Sequence, residues 1–235
     1  MIKENLARVL EKMDSAADKV GKKSKDIKLV AITKNVGIKE ILEVLGAGIR
    51  DIGENRIQEA AKKYGDLVRL PTAEFSLHMV GHLQTNKVKK AVGIFGLIQS
   101  LDSVHLATEI DVEAKKNNKI QDCLVEVKIS EEETKYGCQP ENLYDLLEKT
   151  SNLNGIRICG LMAMAPFFED PALTRPYFRR ARRLFDEFEK MSDKTGDFKY
   201  ISMGMSNDFE TAIEEGSNMV RIGTAIFGEK NAKNN

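Results

Sequence analysis

Hydrophobic positions in the first twenty residues recur every three or four places. Ile2, Leu6, Val9, Leu10, Met13, Ala17 and Val20 share one helical face, with Lys and Glu between them. Gly21 is a stop signal, and residues 22–26 (KKSKD) read as a polar connection. A second rhythm then sets in, in which short β-branched and aliphatic runs alternate with amphipathic stretches. The runs lie at 27–34, 49–55, 75–82, 94–101, 122–130, 156–165, 199–204 and 218–223. Helical spacing is clearest at Lys39–Leu45, Arg56–Leu67, Val104–Lys116, Leu143–Thr150, Tyr177–Met191 and Phe209–Glu215.

Near-continuous apolar strands that alternate with helices imply parallel strands covered on their outer face. Eight of them in a chain of 235 residues close most economically into a TIM (β/α)8 barrel of α/β class, spanning 1–235 as a single domain. An open doubly wound sheet is the alternative, but no GxGxxG follows a strand. Little chain follows the eighth strand, so the N-terminal helix is expected to complete the outer ring. The stretch Ala165–Arg175, with two prolines, is expected to be a loop.

Composition narrows the function. Lys plus Arg and Asp plus Glu are both 36, so no global field favours nucleic acid or an anionic membrane. The basic run Arg175–Arg183 reads as the solvated face of a helix whose other face carries Tyr177, Phe178, Ala181, Leu184 and Phe185. The three cysteines, Cys123, Cys138 and Cys159, form no CxxC and cannot all pair, which fits a reducing, cytoplasmic setting. The first residues do not resemble a signal peptide, and no apolar stretch is long enough to span a membrane. His78 and His82 lie across a strand end and not on one helix face, and no HExxH is present, so no metal is expected. Cys138 is expected to be an unremarkable exposed thiol. Met162, Met164, Met203 and Met205 are expected to be apolar filler under a bound ring.

Barrel chemistry sits at the C-terminal ends of the strands. There the pattern places Lys34 after strand one, Asn55 after strand two, Lys128 and Lys135 around the end of strand five, Ser206 after strand seven, and Arg221, Gly223 and Thr224 at strand eight. Gly204-Met205-Ser206-Asn207 leads into a helix that Ser206 or Asn207 could cap. With Gly223-Thr224 it could also form a phosphate cradle. A partly desolvated Lys34 could attack an aldehyde. Together they suit a ligand with both phosphate and carbonyl groups, either pyridoxal 5′-phosphate (PLP) or a sugar phosphate in an aldolase.

Five blocks go further. The segment 52–59 (IGENRIQE) resembles the GENxxQE block of the pyridoxal phosphate homeostasis proteins (the YggS/PROSC family). The segments 78–87 (HMVGHLQTNK), 160–164 (GLMAM), 202–208 (SMGMSND) and 219–228 (MVRIGTAIFG) follow in family order. The resemblance covers about Leu29 to Gly228. It implies a vitamin B6-binding barrel similar to the N-terminal domain of alanine racemase. It also implies Lys34 as the Schiff-base lysine, a phosphate held by Ser206, Gly223 and Thr224, Arg221 facing the pyridine nitrogen, and Asn55 lining the site. Lys135 matches a second family lysine and is a possible secondary PLP acceptor. Two departures stand out: Asn35-Val36-Gly37 where the family often has a proline-containing run, and Lys128 where it often has Asn.

A guanidinium at the pyridine nitrogen disfavours its protonation and weakens the ring as an electron sink. Racemases of this design bring a second base from a second domain. This chain shows no such domain, which leaves Tyr136 or a partner subunit to supply one. The expectation is a protein that carries or buffers PLP, with no catalytic residues, acting as a monomer and passing PLP to apo-enzymes. A weak PLP-dependent amino-acid racemase is the alternative, and a Schiff-base aldolase fits the blocks least.

Overall fold

The computed structural model describes residues 1–68, 74–131, 136–191 and 198–228. Eight strands follow the order of the chain: β1 (Lys28–Ile32), β2 (Asp51–Glu54), β3 (Ser76–Met79), β4 (Leu97–Leu101), β5 (Gln121–Val127), β6 (Ile156–Ala163), β7 (Tyr200–Ser202) and β8 (Met219–Ile222). Each pairs in parallel with the next, and β1 pairs with β8 through Lys28↔Met219 to Ala31↔Ile222, so the sheet is a closed barrel. Closure excludes the open sheet. Except at β4, the predicted strands overrun the observed ones at their C-terminal ends because those residues leave the ladder and build the rim.

The helices are α1 (Ile2–Asp18), α2 (Ile38–Gly46), α3 (Ile57–Leu67), α4 (Val88–Ile94), α5 (Val104–Lys116), α6 (Leu143–Thr150), α7 (Arg175–Met191), α8 (Phe209–Glu214) and α9 (Thr224–Phe227). Only seven residues long, α4 carries too few repeats to show in the sequence pattern, and Ile94, read there as strand, ends it. The N-terminal helix does complete the ring. It buries Leu6, Val9, Met13, Ala16 and Ala17 and packs against α2, α8 and α9, with Asn5 Nδ2 donating to the Ile226 carbonyl at 3.0 Å. Leu10 and Val20, assigned to the same face, are instead exposed.

The basic run behaves as the pattern implies, and it also ties α7 to α8. Phe178, Ala181 and Phe185 are buried, while Arg175 reaches Glu214 and Glu215 at 2.6 Å each and Arg179 reaches Glu215 at 2.9 Å.

Inside the barrel, Val30, Leu97, Leu124, Cys159, Met162 and Met219 form a cluster separate from the larger layer between strands and helices. Burying each large apolar side chain contributes roughly 1.5–3 kcal/mol. A bulge in β6 sets which residues enter this interior. Cys123 pairs with Ile158 but Val125 with Leu161, so β6 spends one residue more than β5 between those points. That extra residue shifts the alternation so that both Cys159 and Met162 face inward. Gly160 sits at the bulge with φ 142°, and a Cβ there would lie 1.8 Å from the Tyr200 carbonyl oxygen. The GLMAM block therefore begins with glycine for a steric reason. Of the four methionines expected as filler, Met162 lies in the inner cluster with Met164 packed on it, Met203 belongs to the outer layer, and Met205 is exposed.

Candidate functional site

Lys34 lies in the turn after β1, two residues beyond Ile32, the last residue of the strand. Thr33 N donates to the Gly53 carbonyl at 2.9 Å, so β1 stays paired to the residue before it. The lysine is exposed, so the expectation of a desolvated amine is not met. Its loop is nevertheless firmly held. Thr33 Oγ1 donates to buried Glu54 at 2.6 Å, and Asn35 N donates to Glu59 at 2.6 Å. Lys63 Nζ binds Glu54 at 2.8 Å, Glu59 at 2.5 Å and the Thr33 carbonyl at 2.5 Å. The two carboxylates of IGENRIQE thus brace the residues on either side of Lys34. Burial raises the Glu54 pKa above its ordinary value, against the pull of Lys63 and Thr33.

Asn55 is half-buried, and its Oδ1 is buried without a hydrogen-bond partner. Such an atom at the barrel mouth is suited to receive a donor. Its backbone is approached closely by Gly81, where a Cβ would fall 2.4 Å from the Asn55 carbonyl oxygen.

On the neighbouring part of the rim, where β8 pairs with β1, Ser206 Oγ accepts from Gly223 N at 3.2 Å and Ala225 N at 3.3 Å. Ser206 does not cap α8, and neither does Asn207. The N-cap is Asp208, whose carboxylate accepts from Met205 N at 2.6 Å, and Asn207 Nδ2 instead donates to the Phe168 carbonyl at 2.9 Å. This frees the Ser206 hydroxyl for the start of α9, beside exposed Thr224. The sharp turn depends on Gly204 at φ 94°, where a Cβ would sit 2.5 Å from Ala212 Cβ. A cavity of about 420 Å³ on the β3–β4 side is lined by His82, Gln84, Asn86 and Asp102, whereas one of about 310 Å³ adjoins Ser206 and Thr224. The latter is also lined by Arg8 and Lys12 of α1. Lys12 is paired with Glu210 at 2.7 Å, and the placing of these two basic side chains beside the cradle was not legible in the sequence, because nothing local ties α1 to the end of β8.

Arg221, on β8, is buried inside the barrel. Nη1 donates to Ser202 Oγ at 2.6 Å and to the Ser202 carbonyl at 2.8 Å, and Nη2 donates to the Ala163 carbonyl at 3.0 Å. Burial lowers its pKa to about 10 while Glu126 and Asp208 oppose the fall, so the guanidinium is charged at neutral pH. Glu126, on β5, is buried too, and burial raises its carboxyl to about 7 despite the attraction of Arg221. The sequence reading missed Glu126; an acidic residue inside an otherwise apolar strand run was the available signal.

A raised carboxyl means the folded state binds that proton more tightly than the unfolded chain. Its contribution to stability is complete below the ordinary value of 4.5 and is lost as pH rises to about 7. Glu126→Gln is therefore expected to be more stable than the wild type at pH 8, by on the order of 2 kcal/mol, with the difference vanishing near pH 4. Urea unfolding of both proteins across that range checks this.

Lys128 is half-buried beyond β5, beside Glu126, Tyr136 and Met164. Lys135 lies outside the described residues. Tyr136 is exposed and stacks on His82 with centroids 3.8 Å apart. Cys138 is buried, not exposed, and burial raises its thiol to about 11, which keeps it neutral.

The profile of the family described as "Alanine racemase, N-terminal domain" matches residues 5–231. The pyridoxal phosphate homeostasis protein of Aquifex aeolicus is 45% identical over 227 residues, 97% of each chain. This chain belongs to the pyridoxal phosphate homeostasis family. The Escherichia coli member is 33% identical over 232 residues, again 97% of each chain. Among solved structures, PipY of Synechococcus elongatus with PLP bound superposes with a TM-score of 0.83 at 32% identity, over 97% of this chain and 100% of that one. Alanine racemase of Clostridium difficile shares the fold, with a TM-score of 0.67 at 16% identity; the match covers 93% of this chain and 56% of that one.

Proposed function

We propose that this family member binds PLP at the barrel mouth and carries or buffers it in the cytoplasm as a single-domain monomer, supplying PLP-dependent apo-enzymes. The observation that carries the reading is the pairing, on one rim, of an exposed amine at Lys34 with the Ser206–Gly223–Ala225 cradle. The residues present fit the ligand. Ser206, Gly223 and Thr224, with backbone N–H groups at the start of α9, suit a phosphate. Asn55 offers a buried oxygen that lacks a partner. Arg221, fixed by Ser202 and the Ala163 carbonyl, would supply a cation to the pyridine nitrogen.

When bound, the ligand supplies an aldehyde that condenses reversibly with an amine, and a ring that can act as an electron sink. The chain's own groups favour the first use over the second. Arg221 only donates, so it does not help to protonate the pyridine nitrogen. Lys34 is open to solvent, so an incoming amine can reach it and exchange with it. The Glu54–Lys63–Glu59 brace keeps the Lys34 loop in place through such exchange.

The racemase alternative needs a base on the face opposite Lys34, for which Tyr136 at the rim is the nearest candidate. Incubation with PLP, borohydride reduction and peptide mapping is expected to place the adduct on Lys34. Adduct confined to Lys128 or Lys135 would defeat the site assignment. Exchange of the α-proton of D- or L-alanine at ordinary enzymatic rates would defeat the carrier reading. A PLP-loaded sample should restore activity to an apo-enzyme more fully than the same amount of protein after borohydride reduction.

A further inference from the structure

Arg221 is one end of a line of polar side chains that crosses the barrel. Arg221 Nη1 is 2.6 Å from Ser202 Oγ, Ser202 Oγ is 2.7 Å from Gln99 Oε1, Gln99 Nε2 is 3.0 Å from His78 Nδ1, and His78 Nε2 is 3.0 Å from Asp51 Oδ1. Lys28 Nζ closes the far end on Asp51 Oδ2 at 3.1 Å. Ser202, Gln99, His78 and Arg221 are all buried, so water does not substitute freely for any of these partners.

The bonds along the line run in one consistent direction. A guanidinium only donates, so Ser202 Oγ accepts from Arg221. The single hydroxyl proton then goes to Gln99 Oε1. Gln99 must present its amide nitrogen to His78, and the same nitrogen also contacts Met219 Sδ at 3.3 Å, which agrees with that orientation. His78 Nδ1 therefore accepts, its proton sits on Nε2, and Asp51 receives it. The imidazole is neutral in this arrangement. Burial works to raise the Asp51 pKa, but the hydrogen bond from His78 and the hydrogen bond and charge of Lys28 hold it below the ordinary value.

We infer that Gln99, His78 and Asp51 are positioning residues for Arg221, and that they fix the guanidinium through Ser202 with His78 locked as the Nε2–H tautomer. The arrangement has one competing state. A proton on His78 Nδ1 requires the Gln99 amide to rotate and present its oxygen to the ring. The Gln99 nitrogen then faces Ser202 Oγ, and the serine proton loses its acceptor beside Arg221. Holding the first state keeps the cation where the ligand's ring nitrogen is placed, an assignment that rests on the function proposed above.

The test has one arm without ligand and one with it. In ligand-free protein at pH 7, 15N spectra of labelled histidine, assigned with His82→Gln and His105→Gln, should show His78 protonated at Nε2 alone. Gln99→Glu keeps the shape and the acceptor for Ser202 but cannot donate to Nδ1, so His78 should become protonated at both nitrogens. An Nδ1–H tautomer in the wild type, or an unchanged His78 signal in Gln99→Glu, would overturn the inference. With PLP, Gln99→Leu should shift the visible absorption maximum and weaken binding about tenfold, the effect of one buried hydrogen bond. Gln99→Glu should stay close to wild-type affinity. A folded Gln99→Leu protein with unchanged absorption and affinity would also overturn it. If Arg221→Lys leaves the loaded spectrum untouched while the ligand-free histidine results stand, the fault lies in the ligand placement and not in the brace.

Discussion

Lys34→Ala is expected to abolish the visible absorption band that the protein gains on addition of PLP, and to leave no borohydride-reducible adduct at that position. Lys34 is exposed and its side chain makes no hydrogen bond or ion pair among the described residues, so its replacement should move the thermal midpoint by only about 1–2 °C. Ligand held by the cradle alone should be retained weakly and washed out on gel filtration. Spectra and mass of wild type and variant after identical loading decide the matter. A band that survives in Lys34→Ala would move the covalent site elsewhere and remove the basis of the carrier reading.

Gly160→Ala is the second large effect, and it concerns stability. Its backbone φ of 142° is poorly tolerated by a residue with a side chain, and a Cβ would meet the Tyr200 carbonyl oxygen at 1.8 Å, where that carbonyl belongs to the neighbouring strand. Relief requires β6 and β7 to separate, at a cost of about 3 kcal/mol or more. The damage should also reach the ligand site, because the bulge sets the position of the Ala163 carbonyl that accepts from Arg221 at 3.0 Å. Chemical denaturation should show the loss of stability. PLP titration of whatever fraction folds should show weakened binding as well. A variant as stable as the wild type would mean that β6 can carry its extra residue without glycine.

The residues that lie at strand ends were readable in the chain, but the brace around them was not. Lys34, Asn55, Ser206, Gly223 and Thr224 each follow a recognisable apolar run, so the barrel rule alone puts them on one face. Glu54, Glu59 and Lys63 sit in the same neighbourhood of sequence, yet their role depends on the loop of Lys34 folding back over β2 and α3. Gln99 and Ser202 lie 103 positions apart, and the sequence presents His78 only with His82, as a metal pair that the spacing rejects, because its actual partners come from β2 and β4.

Periodicity along the chain decided the strands, most of the helices, their order, and which residues follow the strand ends, because side-chain alternation and helical spacing are local properties of the backbone. The bulge at Gly160, the exposure of Lys34, the burial of Cys138 and the polar line behind Arg221 required tertiary structure. Each depends on distances between strands, which local spacing does not encode. In a closed barrel those distances are set by the packing of all eight strands together.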